Sequence, residues 1–301
     1  MSGPLDRLRA DPETRRAHDA LLEELSGSDL RSLLLDVASH RAAKRSPSAV
    51  LAQYQSDRFC DPSPLDAVAI AFAEAKALHA AAANFHPIQL SPLSPLATSS
   101  SMSEVPQNNV VTSMRLTEVL SDPTNVLALE AAVVRRGDPT ATARLAAAHR
   151  VVRAQRFEGP QSFAHFSLLG MVSAGRDRGD RAFEVEELGR HIRTLIDVVR
   201  AIDPASELVV RVSDHSGRFD EATAIADALQ EVEPNVDVRV DPDRTHGRGY
   251  YEHLCFKLGI RRDDDVVEVG DGGSTTWMQH LLADRKERLV ISGSGLDRIV
   301  M

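Results

Sequence analysis

Between residues 110 and 291 the chain breaks into short apolar runs of strand length, separated at uneven intervals by helical patterns. Strand-like runs fall at Val110-Val111-Thr112, 115–120, Val151-Val152 and 163–173, and again at 250–258, 265–269 and 289–291. Helices are predicted over 125–135, 183–202 and 276–283. In the second of these, Val185, Leu188, Ile192, Leu195, Ile196 and Val199 form one apolar stripe. Between 208 and 240 the order is strand, helix, strand. Strands and helices mixed in this order predict an α+β fold with a substantial antiparallel sheet. No internal repeat is visible.

Upstream, residues 1–58 read as a small helical N-terminal extension. Leu5 and Leu8, then Leu21, Leu22 and Leu25, then Leu30, Leu33, Leu34, Leu35 and Val37 recur at near-helical spacing between charged residues. The core is expected over 59–301, including an α/β insertion at about 205–241. A longer, alanine-rich helix over 65–83 follows Asp61-Pro62-Ser63-Pro64, punctuation suited to a cap and a first-turn proline. The next stretch, FHPIQLSPLSPLATSSSMSE at 85–104, reads as a proline-interrupted strand and then a serine-rich loop, the most flexible segment by composition.

A length of 301 residues is enough for one large α/β domain, and the net charge of −9 with scattered arginines offers no basic face for a nucleic-acid backbone. Cys60 and Cys255 lie far apart, so neither a disulfide framework nor a cysteine zinc site is expected. The N-terminus has no apolar signal core, and no uncharged stretch reaches membrane-spanning length; a cytoplasmic protein with no membrane partner is expected. The histidines lack metal-ligand spacing, and Gly293-Ser294-Gly295 is not a nucleophile elbow.

Three stretches, in order, resemble the three motifs of class II aminoacyl-tRNA synthetase catalytic cores. The 65–83 helix followed by NFHPIQLSPL is similar to the first, a long helix and a strand of the form Gly-Phe-x-x-Val-x-Thr-Pro-x-Leu. Phe85, Ile88, Ser91, Pro92 and Leu93 match, with Asn84 in place of the glycine. That element forms the family's dimer interface, so the resemblance implies a homodimer through 65–93. VVRAQRFEGPQSFAHFSLLG at 151–170 resembles the second motif, two antiparallel strands and a loop. Arg153 takes the place of the arginine that clamps the α-phosphate and the attacking carboxylate, a task suited to a planar guanidinium fork. Phe166 takes that of the adenine-stacking phenylalanine, Gln155 replaces the usual glutamate, and His165 is a further phosphate or adenine contact. Arg153 paired with a neighbouring carboxylate such as Glu158 is the plainer alternative. The third motif, a glycine-rich strand and turn opening a helix, is matched by Gly293, Gly295, Asp297 and Arg298, with Ile291 at its first glycine. There the arginine reaches the γ-phosphate of ATP, and Glu268 takes a position that binds Mg2+ between phosphates.

VRVDPDRTHGRGYYEHLCFKL at 238–258 narrows the resemblance to the histidyl-tRNA synthetase-like group through Asp241, Pro242, Arg248, Gly249, Tyr250, Tyr251 and Phe256. By that likeness Arg248 assists adenylate formation and Tyr250 and Tyr251 line the amino-acid pocket. Asp122 and Thr124 stand where the substrate's amine is held. DGGSTTW at 271–277 lacks the arginine and tyrosine of the group's Gly-Gly-Arg-Tyr-Asp. The resemblance implies a class II synthetase-like antiparallel sheet flanked by helices, ATP and Mg2+ as cofactors, and a small amino acid or other carboxylate as ligand. No anticodon-binding domain follows Arg298, so a stand-alone paralogue is expected and tRNA is a disfavoured partner. Two readings stay open: an ATP-dependent, adenylate-forming ligase with a non-tRNA acceptor, and a catalytically silent paralogue similar to the regulatory subunit of ATP phosphoribosyltransferase.

Overall fold

A computed structural model describes residues 3–103, 105–155 and 163–301. The chain opens with four helices, α1 (Pro4–Ala10), α2 (Pro12–Asp19), α3 (Gly27–Ala42) and α4 (Pro47–Tyr54), with a π-helical turn at Ala20–Glu24. Local chemistry starts each of the last three: the side chains of Asp11, Ser26 and Ser46 accept the backbone N–H groups of Thr14, Asp29 and Ala49. None of the four buries a residue among the described ones, and Leu22, Val50 and Leu51 stand more than half exposed at 61%, 52% and 56%.

The core begins with α5 (Ala67–Ala81), capped by Asp66 at 2.8 Å from the Ala69 nitrogen. Ile70, Ala73, Ala77 and Ala81 recur at helical spacing and form its buried face. The strands follow: β1 (His86–Pro87), β2 (Leu93–Pro95), then α6 (Thr98–Met102), β3 (Thr112–Ser113), β4 (Thr117–Val119), α7 (Pro123–Gly137), β5 (Ala143–Val152) and β6 (His165–Arg176). After α8 (Ala182–Ile202) come β7 (Glu207–Asp214), α9 (Asp220–Val232), β8 (Asp237–Val240), β9 (Leu254–Arg262), β10 (Asp265–Thr275), α10 (Trp277–Leu282), β11 (Glu287–Gly295) and α11 (Leu296–Val300).

An eight-stranded sheet runs β1-β5-β6-β11-β10-β9-β7-β8. The strands from β5 to β7 pair antiparallel, while β1 and β8 are parallel edge strands. Alternation along each strand divides the interior in two. Ala146, Met171 and Val290 join α5, α8 and α9 in one apolar cluster, while Leu145, Val172 and Ile291 join α7 and α10 in another. The structure thus has the expected sheet flanked by helices. β7, α9 and β8 continue this sheet, and Leu208, Val210, Ile225 and Leu229 share the core of α8. The segment expected as a compact insertion therefore has no separate interior.

The serine-rich run departs from the flexible loop expected of it. Glu118, fully buried on β4, accepts the Ala97 and Ser99 backbone N–H groups at 2.9 and 2.8 Å, the Ser99 hydroxyl at 2.8 Å and the Gln107 side-chain amide at 3.0 Å. That carboxylate organises the turn into α6 and a small β2-β4-β3 sheet. On the α7 side, Arg135 makes a buried two-pronged ion pair with Glu287 of β11, at 2.8 and 2.7 Å. A side chain on Gly170 would come within 2.7 Å of Pro123, so glycine there lets the start of α7 lie flush on β6. Among the described residues, no helix is long and apolar enough to cross a membrane.

Candidate functional site

A cleft of about 710 Å3 opens where the start of α7, the facing ends of β5 and β6, strands β10 and β11, and the loop before β9 converge. Arg153, Gln155 and Phe166 line it from the β5–β6 side, and Gly293, Gly295 and Arg298 from β11 and α11. Glu268, Tyr250, Tyr251, Asp122 and Thr124 also face it. Two expected contacts do not. His165 turns away, its Nδ1 accepting from the Arg150 Nε–H at 2.9 Å and its Nε2 lying 2.6 Å from the Asp61 carbonyl. Arg248 stands exposed, because the loop reverses around Gly247 and Gly249, at φ of 88° and 87°.

At the end expected to hold ATP, the charges are largely matched within the protein. The Arg153 Nε donates to the Ser121 carbonyl at 3.2 Å, and its Nη2 lies 3.5 Å from Asp122 Oδ2. The carboxylate beside it is thus Asp122; Glu158, weighed from sequence, lies outside the described residues. The same guanidinium sits 5.1 Å from the centre of the Phe166 ring, over the surface expected to stack on adenine. Glu268, expected to hold Mg2+, has the Lys257 ammonium at 2.6 Å as its counter-ion. Among the described residues there is no group of three His, Cys, Asp or Glu side chains able to hold a metal ion. These residues do not fit a resident magnesium site. Arg298 is exposed and donates to the Glu268 carbonyl at 3.0 Å.

The other end is different. Asp122 caps α7, its Oδ1 accepting the Thr124 backbone N–H at 2.9 Å and hydroxyl at 2.7 Å. Tyr250 packs edge-on against Tyr251 and Trp277, with ring centres 4.9 and 5.7 Å away. Burial pushes both phenols well above their usual range, which keeps them neutral donors. The Tyr251 hydroxyl donates to Asp271 Oδ2 at 2.9 Å. Burial also pushes the Asp271 carboxyl up; the Tyr251 bond opposes the shift, and nearby Glu268 and Asp122 add to it.

Arg244, not among the residues expected at the site, lies in the cleft where Arg248 was expected. It is only 6% exposed, lines the cleft, and places its guanidinium 5.7 Å from the Tyr251 ring centre. Its Nε donates to the His246 carbonyl at 3.0 Å, but Nη1 and Nη2 have no partner among the described residues. Two buried acceptors on the cleft wall, Asn125 Oδ1 and Asp297 Oδ2, are likewise unpartnered. Asp271 has no cation within ion-pair distance among the described residues, although Arg244 is near enough to act on it electrostatically. Among the described residues, a buried guanidinium and a carboxylate, neither in an ion pair, thus share one cleft. The arrangement is complementary to a small ligand carrying an anionic group and a hydrogen-bond-donating group.

The comparisons with known proteins agree with this geometry at the level of fold. No family model matches the chain, and no curated protein matches its sequence. Among solved structures, it is similar to an ATP phosphoribosyltransferase regulatory subunit/histidyl-tRNA synthetase from Bacillus halodurans, with TM-score 0.65 and 14% identity, covering 80% of this chain and 81% of that one. It is similar to apo histidyl-tRNA synthetase from S. aureus, with TM-score 0.61 and 14% identity, covering 81% and 68%. A chain of the ATP phosphoribosyl transferase (HisG:HisZ) complex from Thermotoga maritima matches with TM-score 0.52 and 12% identity, covering 77% and 98%. The chain has the fold of the class II synthetase-like core, with histidyl-tRNA synthetases and the ATP phosphoribosyltransferase regulatory subunit as its structural neighbours.

Proposed function

We propose that this chain is a synthetase-like, ligand-sensing regulatory protein that binds a small zwitterionic carboxylate, an amino acid in the first instance, without activating it. The observation that carries this reading is Arg244. A buried guanidinium with two nitrogens unmet among the described residues costs several kcal/mol, and an apolar side chain of similar size would be cheaper. An anion arriving from outside would meet both nitrogens. The ligand's carboxylate meets Arg244, and its amine meets the Asn125 carbonyl oxygen and Asp271. At the other end Arg153, Glu268 and Phe166 already have partners inside the protein, which opposes a productive ATP geometry. A neighbour named as a regulatory subunit and another from the HisG:HisZ complex support a partner protein whose activity the bound ligand controls.

The test is thermal unfolding across a panel of free L-amino acids and small dicarboxylates, paired with ATP–pyrophosphate exchange on the same panel. A ligand at a hundred times its Kd stabilises by about 2.7 kcal/mol, so a binder is plainly visible. A panel with no stabilising member overturns the reading.

One observation favours adenylate formation as a second reading. Arg298 keeps an exposed guanidinium at the cleft, and Arg153 is held only by a long 3.5 Å contact to Asp122 and a 3.2 Å bond to a carbonyl. Moving off Phe166, Arg153 would join Arg298 on the phosphates of ATP and free the ring for adenine. Those two guanidinium groups would align the α-phosphate and screen its charge from the attacking carboxylate. Exchange that is present in the wild type and lost in Arg298→Ala selects this reading over the silent one.

A further inference from the structure

We infer that Arg58 and His165 are positioning residues of the cleft, and that the segment Arg58–Asp61 is a strap coupling the helical extension to the cleft wall that carries Arg153 and Phe166. This segment leads from α4 toward α5 and passes beside the C-terminal end of β5 and the N-terminal start of β6. On the β5 side, the Arg58 guanidinium donates to the Ala154 carbonyl, supported over the Phe59 ring at 4.3 Å from its centre. On the β6 side, His165 Nε2 reaches the Asp61 carbonyl at 2.6 Å. Arg150 donates its Nε–H to His165 Nδ1 at 2.9 Å, so the ring proton sits on Nε2 and the bond to Asp61 has its donor.

These ties fall where the hairpin's own ladder runs out. Val152 and His165 are the last paired residues of the two strands, and one further backbone bond, Arg153 N–H to the Ala164 carbonyl at 2.8 Å, closes the described part. Ala154 is also held from the far side, its N–H donating to the Asn109 carbonyl at 3.0 Å. Arg153 and Phe166, the neighbours of Ala154 and His165, line the cleft, while the strap bonds lie on the residues beside them. Whatever displaces the strap therefore loosens the strand ends from which Arg153 and Phe166 project. The extension on the strap's other side buries no residue among the described ones, so its position is not fixed by a core of its own. The two strap bonds give a force on the extension a direct polar route to the cleft wall.

Hydrogen exchange on the full-length protein, without ligand, tests this. In Arg58→Ala, peptides covering 150–155 and 163–168 should lose protection by about tenfold, the scale of one charge-assisted hydrogen bond, while peptides from β9 to β11 are unchanged. Arg58→Lys should restore most of it, and His165→Ala should reproduce the loss. Unchanged protection in both alanine variants overturns the inference. So does a loss spread evenly over the whole sheet, which would mark general destabilisation. Because no ligand enters the measurement, a wild-type protein that binds no amino acid refutes the proposed function and leaves this result standing.

Discussion

Replacing Arg244 with methionine distinguishes an arginine kept for a ligand from one kept for the fold. Methionine preserves much of the volume and removes the charge. Two terms favour the variant: Nη1 and Nη2 are buried without partners among the described residues, and each unmet polar group costs about 1–3 kcal/mol. Two oppose it: the Nε bond to the His246 carbonyl and the contact with the Tyr251 ring, each about 1 kcal/mol. The balance is a stability that is unchanged or raised by up to about 4 kcal/mol, read as a flat or higher Tm at about 2 °C per kcal/mol. Binding moves the other way. Losing a charge-assisted contact of about 1.5–3 kcal/mol weakens the Kd by roughly 10- to 150-fold. The assay is differential scanning fluorimetry of wild type and variant, with and without the stabilising ligand. A Tm lowered by more than about 5 °C without ligand would refute the reasoning, because Arg244 would then be part of the scaffold.

Three further outcomes follow from other sites. Arg135→Ala leaves Glu287 buried between α7 and β11 with only the longer Arg176 contact at 3.5 Å, and should cost about 3 kcal/mol in urea unfolding. Burial holds His191 down at about 3 against an ordinary 6.5, between the hydroxyls of Ser173 and Ser292. The unfolded chain takes up that proton near pH 6.5 and the folded chain does not, so stability is intact above 6.5 and falls by about 2 kcal/mol by pH 5; His191→Gln should remove this share of the slope in unfolding measured across pH 5–7. Gly247→Ala forces a positive φ and brings a methyl to 3.1 Å from the Tyr251 ring, which should cost about 1–3 kcal/mol in denaturant unfolding and weaken ligand binding at once.

The long helices α5, α7 and α8 were legible because apolar periodicity is a local property, and Arg153, Phe166, Gly293 and Arg298 because each belongs to a short pattern on a strand or turn. The arginine of the loop before β9 was misplaced because spacing is a poor guide through two left-handed glycines, which carry Arg248 outward and leave Arg244 in the cleft. Asp271 was missed for another reason. In a regular strand Glu268 and Asp271, three residues apart, face opposite sides; the register shift between Glu268 and Gly270 adds one residue and brings both to the cleft. The order in the serine-rich run was hidden because its organiser, Glu118, lies 19 residues from Ser99.

The edge-on stack of Tyr250 and Trp277 has a practical consequence. Trp277 is the only tryptophan in the chain, and two of its three tyrosines, Tyr250 and Tyr251, line the cleft. The intrinsic emission of the unlabelled protein is therefore a built-in optical report on this one region. A ligand that touches Tyr250 changes the surroundings of the indole at a ring distance of 5.7 Å, so occupancy can be followed by fluorescence titration and its rate by stopped flow.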